Sequence, residues 1–155
     1  MIEWTADLDG TPVPIASLRS QRRLGASSWL TLEIPVWSAA MQSLAEAAAT
    51  VTVYADADVF LAATITEVVP HRDPRRGSIR LRARIIPDPF TAQTRIVRNV
   101  TERGNDAGRR LLVCDADPDL RPNDTVDDGG TQWLAGIIDY SISAQEQTMR
   151  VVEVL

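Results

Sequence analysis

Lysine is absent from this 155-residue sequence, cysteine and histidine occur once each, and aromatic residues make up only 5%. The single cysteine, Cys114, excludes a disulfide scaffold. The single histidine, His71, excludes a multi-histidine zinc site and obliges any Ser-His-Asp or Cys-His pair to use that one residue. No apolar run approaches the roughly 18 residues needed to span a bilayer. The start, Met1-Ile2-Glu3-Trp4-Thr5-Ala6-Asp7, carries acid where a secretory signal carries base followed by an apolar run. These absences predict a soluble protein that keeps its N-terminus and does not insert in a membrane. No G-x-x-x-x-G-K-S/T, G-x-G-x-x-G or C-x-x-C is present, so the familiar nucleotide-binding and redox loops are missing and no cofactor is implied.

What is present is an ordinary globular composition, 45% hydrophobic and 24% charged, with 21 acidic against 16 basic residues and a net charge of −5. A chain of this size buries roughly two thirds of its unfolded surface without staples, as one domain or two small ones. The acidic balance argues against a dedicated nucleic-acid binder, whose affinity rests on neutralising phosphates. Every basic residue is arginine, which GC-rich coding produces as readily as selection for the planar guanidinium fork.

The pattern along the chain is strand-rich. Leu30, Leu32 and Ile34 alternate with Trp29, Thr31 and Glu33, a period of two that predicts a half-buried strand ending at Pro35. Residues 38–49 are Ala-rich, lack β-branched side chains and set Met41, Leu44 and Ala48 on one face behind a Ser38 N-cap, which predicts the one helix. Val51–Ala55 and Val59–Val69 read as strands around a tight Asp56-Ala57-Asp58 connection. The polar run from His71 to Gly77 then predicts an antiparallel hairpin between Val59–Val69 and Ser78–Ile86. Pro87 and Pro89 mark a boundary. After it, Arg110–Cys114, Thr131–Ser143 and Thr148–Val154 read as strands with turns at 127–130 and 144–147. Thr101–Gly108 lacks any apolar period and reads as a mobile surface loop. The expected fold class is therefore mainly β. It comprises two small antiparallel β-barrel or sandwich units, residues 1–88 with the helix and residues 89–155.

Few residues carry candidate chemistry. His71 sits in the predicted hairpin turn, exposed, and Cys114 in the apolar run Leu111-Leu112-Val113, as a small buried hydrophobe. Asp115, Asp117 and Asp119 alternate like the opening of a calcium loop, but Leu120 and Val126 stand where such a loop needs Gly and Glu. A solvated acidic turn is the ordinary reading. The sharpest pattern is Ile79-Arg80-Leu81-Arg82-Ala83-Arg84-Ile85, which lines three guanidiniums along one strand face at roughly 7 Å spacing. That row either meets an acidic partner surface or is a solvated face neutralised across the hairpin by Thr64, Thr66 or Glu67. For a partner surface, the best carboxylate clusters are Asp56-Asp58 and Asp115-Asp117-Asp119. No nucleophile, base and orienting group share one motif, so no catalytic residue, metal site or cofactor site is assigned.

These segments together resemble a known family. Leu24-Gly25-Ala26-Ser27-Ser28-Trp29-Leu30-Thr31-Leu32, leading through a helix to Val51-Thr52-Val53-Tyr54, is similar to the β-barrel of bacteriophage tail hub and baseplate proteins. So is the hairpin from Phe60–Val68 into Ser78–Arg84. Leu120–Val126, followed by Trp133–Ser143 and Gln147–Glu153, resembles the terminal module of phage tail proteins.

The resemblance, to tail tip, baseplate hub or distal tail proteins of siphophages and gene-transfer-agent-like particles, implies a non-enzymatic structural subunit. It implies a homo-oligomeric ring, three-fold or six-fold, that joins other tail proteins and forms part of the tail tube or hub. DNA passes through such a ring without specific binding, and an acidic wall repels its phosphates. The implied location is the tail tip of a virion, assembled from protein made in the bacterial host cytoplasm. The subunit interface is expected at Arg80, Arg82 and Arg84 and at Asp115, Asp117 and Asp119. A tail terminator or head-tail connector ring is the runner-up, and a small β-barrel hydrolase a more distant third.

Overall fold

The computed structural model describes residues 1–73 and 75–155. The chain is mainly β with one helix, and it divides into two compact units. The first comprises Met1–Arg19 and Trp29–Asp88, the second Ser20–Ser28 and Pro89–Leu155.

The first unit opens with β1 (Trp4–Leu8) and β2 (Thr11–Val13), joined by a two-residue turn with Asp9 and Gly10 both at positive φ. β3 (Ser17–Arg23) starts in this unit and ends in the second. β4 (Trp29–Ile34) leads into α1 (Ala39–Ala47), then come β5 (Thr50–Ala55), β6 (Asp58–His71) and β7 (Ser78–Ile85). The strands run β2-β1-β5-β6-β7-β4, all antiparallel. Strict alternation on β7 places Ile79, Leu81, Ala83 and Ile85 in the core, with Leu30, Leu32 and Ile34 directly across on β4. The helix is capped as its sequence predicts, Ser38 Oγ accepting from the Met41 N–H at 3.0 Å. Its buried residue is Ala45, while Met41, Leu44 and Ala48 are half-buried.

The second unit holds β8 (Thr94–Ile96), β9 (Glu102–Asp106), β10 (Arg109–Asp115), β11 (Thr125–Asp128), β12 (Thr131–Ser143) and β13 (Gln147–Glu153). The main order is β12-β13-β10-β9, antiparallel, with β11 antiparallel to β12 and β8 parallel to β11. Leu112, Leu120, Ile138, Met149, Val151 and Val152 are almost wholly buried.

Two features depart from the sequence expectation. The strand orders do not return on themselves, so the sheets are open and not closed into barrels. The outer edges are blunted instead: β2 carries Pro12, which has no N–H to offer, and β9 reads Glu-Arg-Gly-Asn-Asp. Residues 102–106, expected to lie in a loop, form an edge strand held in register by β10. A tight turn with Ala107 and Gly108 at φ of 51° and 85° closes that hairpin. Backbone pairing to an apolar neighbour, not any apolar period of its own, makes β9 a strand.

Arg72 and Gly77, between β6 and β7, pack against the segment before the helix. The Arg72 guanidinium lies 4.7 Å over the Trp37 ring, and Arg72 and the Trp37 indole N–H both donate to Gln42 Oε1. Gly77 fits because it has no Cβ: one there would stand 2.3 Å from Trp37 Cβ. Gly77→Ala is expected to destabilise the first unit by about 1–3 kcal/mol. The control Gly104→Ala, where a Cβ meets only Leu111 Cδ2 at an ordinary 3.8 Å, is expected to do less. Urea unfolding of the two variants decides.

Candidate functional site

Alternation on β7 leaves Arg80, Arg82 and Arg84 exposed on the face opposite the core. Register sets what each one faces. Arg80 lies between Glu33 on β4 and Val69 on β6, Arg82 between Thr31 and Glu67, and Arg84 between Trp29 and Thr64. The Arg82 guanidinium pairs with Glu67 at 3.6 Å, both side chains more than half exposed, a contact worth little in stability. Thr66 donates to the Arg82 carbonyl, at a bulge between Ile65 and Glu67. Arg84 has no carboxylate opposite it on either flanking strand.

The second set of expected residues follows β10 in the other unit. The Asp115 carboxylate accepts from Asn99 Nδ2 at 2.6 Å, Asp117 from the Asp119 backbone N–H at 2.9 Å, and Asp119 stands 3.7 Å from the Arg95 guanidinium. Each is engaged separately, and among the described residues no group of three or more His, Cys, Asp or Glu side chains is placed to hold a metal ion. Beside them lies an open groove of about 430 Å³ that also exposes Arg95, Ile96 and Arg98. Its charges are of both signs, so it favours neither an anion nor a cation.

Beneath this surface a polar lattice ties the loop before β11 to the sheet, and the sequence alone does not point to it. The buried Tyr140 hydroxyl donates towards the Asp117 and Leu120 carbonyls at 2.8 and 3.0 Å, and desolvation raises its pKa strongly. Asp124, 2% exposed, accepts from the Gln93 and Arg121 backbone N–H groups at 2.7 and 2.8 Å. Cys114 is fully buried, and burial pushes its thiol up to about 12, so it is a protonated core residue and not a nucleophile. His71 is exposed at the end of β6, paired with Ser78 across the hairpin.

The comparisons with known proteins bear on this geometry. No protein-family model matches the sequence, and no curated protein matches it as a relative. Among solved structures, the 43 kDa tail protein of prophage MuSo2 from Shewanella oneidensis superposes with a TM-score of 0.66 at 10% identity, over 99% of this chain and 97% of that one. The tail protein from Neisseria meningitidis MC58 superposes with a TM-score of 0.64 at 6% identity, over 97% and 95%. The fold is that of phage tail proteins.

Most of the segments that carried the sequence resemblance are strands, while Leu24–Ser28 and Leu120–Asp124 lie in the connections between them. Trp29–Leu32 lies in β4, Phe60–Val68 in β6, Trp133–Ser143 in β12 and Gln147–Glu153 in β13. At such low identity the likeness resides in strand order and in which face is apolar, not in shared side chains. Among the described residues, no helix is long and apolar enough to cross a membrane.

Two tests follow from the polar contacts. Asp124→Ala leaves two backbone donors without an acceptor and is expected to cost roughly 2–4 kcal/mol, Asp124→Asn less, read by chemical unfolding of the full chain. The second test concerns acid. A Gln132 side-chain bond and the Gly130 N–H hold Asp127 below its ordinary 3.8, two Arg103 bonds do the same for Asp128, and the Ala49 N–H with both Thr50 donors does so for Asp9. A carboxyl whose folded pKa lies below its unfolded one stabilises the fold when ionised. That contribution is complete above 3.8 and disappears as pH falls through the lower folded values. The urea midpoint is therefore expected to hold from neutral pH down to about 5 and to fall below about 4. The fall should be shallower in Asp128→Asn.

Proposed function

We propose that this protein is a structural, non-enzymatic subunit of a phage tail or tail-like particle, forming a homo-oligomeric ring at the tail tip as part of the hub, baseplate or tube. The observation that carries this reading is the match of nearly the whole chain to nearly the whole of two tail proteins, both units included. Open sheets with blunted edges suit a subunit that meets neighbours through defined faces and does not grow by strand addition. Arg80, Arg82 and Arg84 on one unit and Asp115, Asp117 and Asp119 on the other are the surfaces proposed to meet neighbouring subunits and adjoining tail proteins. The net charge of −5 suits a ring through which DNA slides without being held.

Electron microscopy of particles carrying an epitope-tagged copy of this chain tests the proposal. Antibody label is expected at the distal end of the tail. Label at the head–tail junction overturns the tip assignment in favour of a terminator or connector, and particles without label overturn a virion role.

A further inference from the structure

The charge of this chain is segregated. Six of its 16 arginines but only one of its 21 acidic residues fall within residues 71–84, so that stretch carries +5 and the remainder −10. Within the first unit the acidic turn lies at the start of β6, and the arginine row lies alongside the second half of that strand, opposite Thr64 to Val69. At roughly 3.3 Å per residue, the row lies roughly 20–36 Å along β6 from Asp58.

The acidic end is a single structural feature. The Asp56 N–H donates to the Glu3 carbonyl and the Glu3 N–H to the Asp56 carboxylate, both at 2.8 Å, so Glu3, Asp56 and Asp58 share one turn. All three are exposed, and among the described residues none is in an ion pair. Val59 beside them is 62% exposed. In the row Arg80 and Arg84 also lack an ion pair among the described residues, and Val69 and Trp29 flank them, 43% and 42% exposed. Each surface thus pairs charge of one predominant sign with an exposed apolar side chain, Glu67 beside Arg82 and Glu33 opposite Arg80 offsetting only part of the row.

A two-fold contact of the arginine row with itself sets like charge against like charge. A basic surface whose complement lies elsewhere on the same chain makes a head-to-tail contact instead, and head-to-tail contacts close into rings when the rotation between copies permits. We infer that the Arg80–Arg84 row of one copy docks on the Glu3–Asp58 turn of the next. This rests on the ring reading above and assigns the mate of the row. Asp119 is a weaker mate, being already paired with Arg95.

A charge swap on the full chain tests the contact, with oligomer size read by light scattering at low salt. Arg80→Glu/Arg84→Glu and Glu3→Arg/Asp58→Arg each place like charges at the contact. Both variants are expected to stay folded by circular dichroism and to be monomeric, with association weakened at least tenfold. Combining the two swaps in one chain restores complementarity at every contact, whatever the ring number, and is expected to regain the wild-type oligomer. Raising the salt is expected to dissolve both assemblies in parallel. If either variant assembles like the wild type, or the chain carrying both swaps stays monomeric, the contact is refuted while the ring reading stands. The contact also fails if the arginine variant loses only binding of a random-sequence DNA duplex. A wild-type chain that is monomeric at every salt concentration overturns the ring reading as well.

Discussion

The first unit depends on the alternation carried by β7. Its even-spaced apolar residues, Ile79, Leu81, Ala83 and Ile85, reach the core only in one register. A slip of one residue against β4 or β6 turns three guanidiniums inward, each leaving water for an apolar interior at a cost of several kcal/mol. The same constraint that fixes the core therefore fixes the arginine row on the outside. Glu33, Glu67, Trp29 and Val69 flank the row because the register puts them there. Packing and surface chemistry in this unit are two faces of one pairing choice.

How much of this was legible in the sequence follows from the same logic. β4, the β6–β7 hairpin, β12 and the capped helix announce themselves because their apolar residues recur at the period of the element they form. β3 is hidden. Its inward positions hold Leu18, Ser20 and Arg22, so two of three buried side chains are polar and the alternation cannot be read from hydrophobicity. β9 has no apolar residue and is a strand only because β10 pairs with it. The arginine row was legible from spacing, and Thr64, Thr66 and Glu67 as its neighbours followed from the hairpin. Which arginine faces which of them was not, because a bulge at Ile65–Glu67 shifts the register by a residue that no turn signal announces. Tyr140 and Asp124 were invisible for a different reason. Their roles are to receive or supply bonds for backbone groups far along the chain, which only the fold brings together.

The functional reading joins two independent lines. One is the likeness to tail proteins over nearly the whole chain at 10% and 6% identity, where only the fold is shared. The other is the electrostatics of this chain, an acidic protein that gathers positive charge on one hairpin. In the proposed ring that hairpin faces a neighbouring subunit. Charge used in this way sets register and association rate more than affinity, so the weak exposed pairing of Arg82 with Glu67 is no obstacle.

The central claim, that this chain is built to assemble with copies of itself into a closed ring, is tested most directly by native mass spectrometry of the purified full chain at low ionic strength. The account predicts one discrete closed species, three-fold or six-fold, in equilibrium with monomer. A ladder of open-ended oligomers, a two-fold dimer alone, or monomer at every concentration contradicts it.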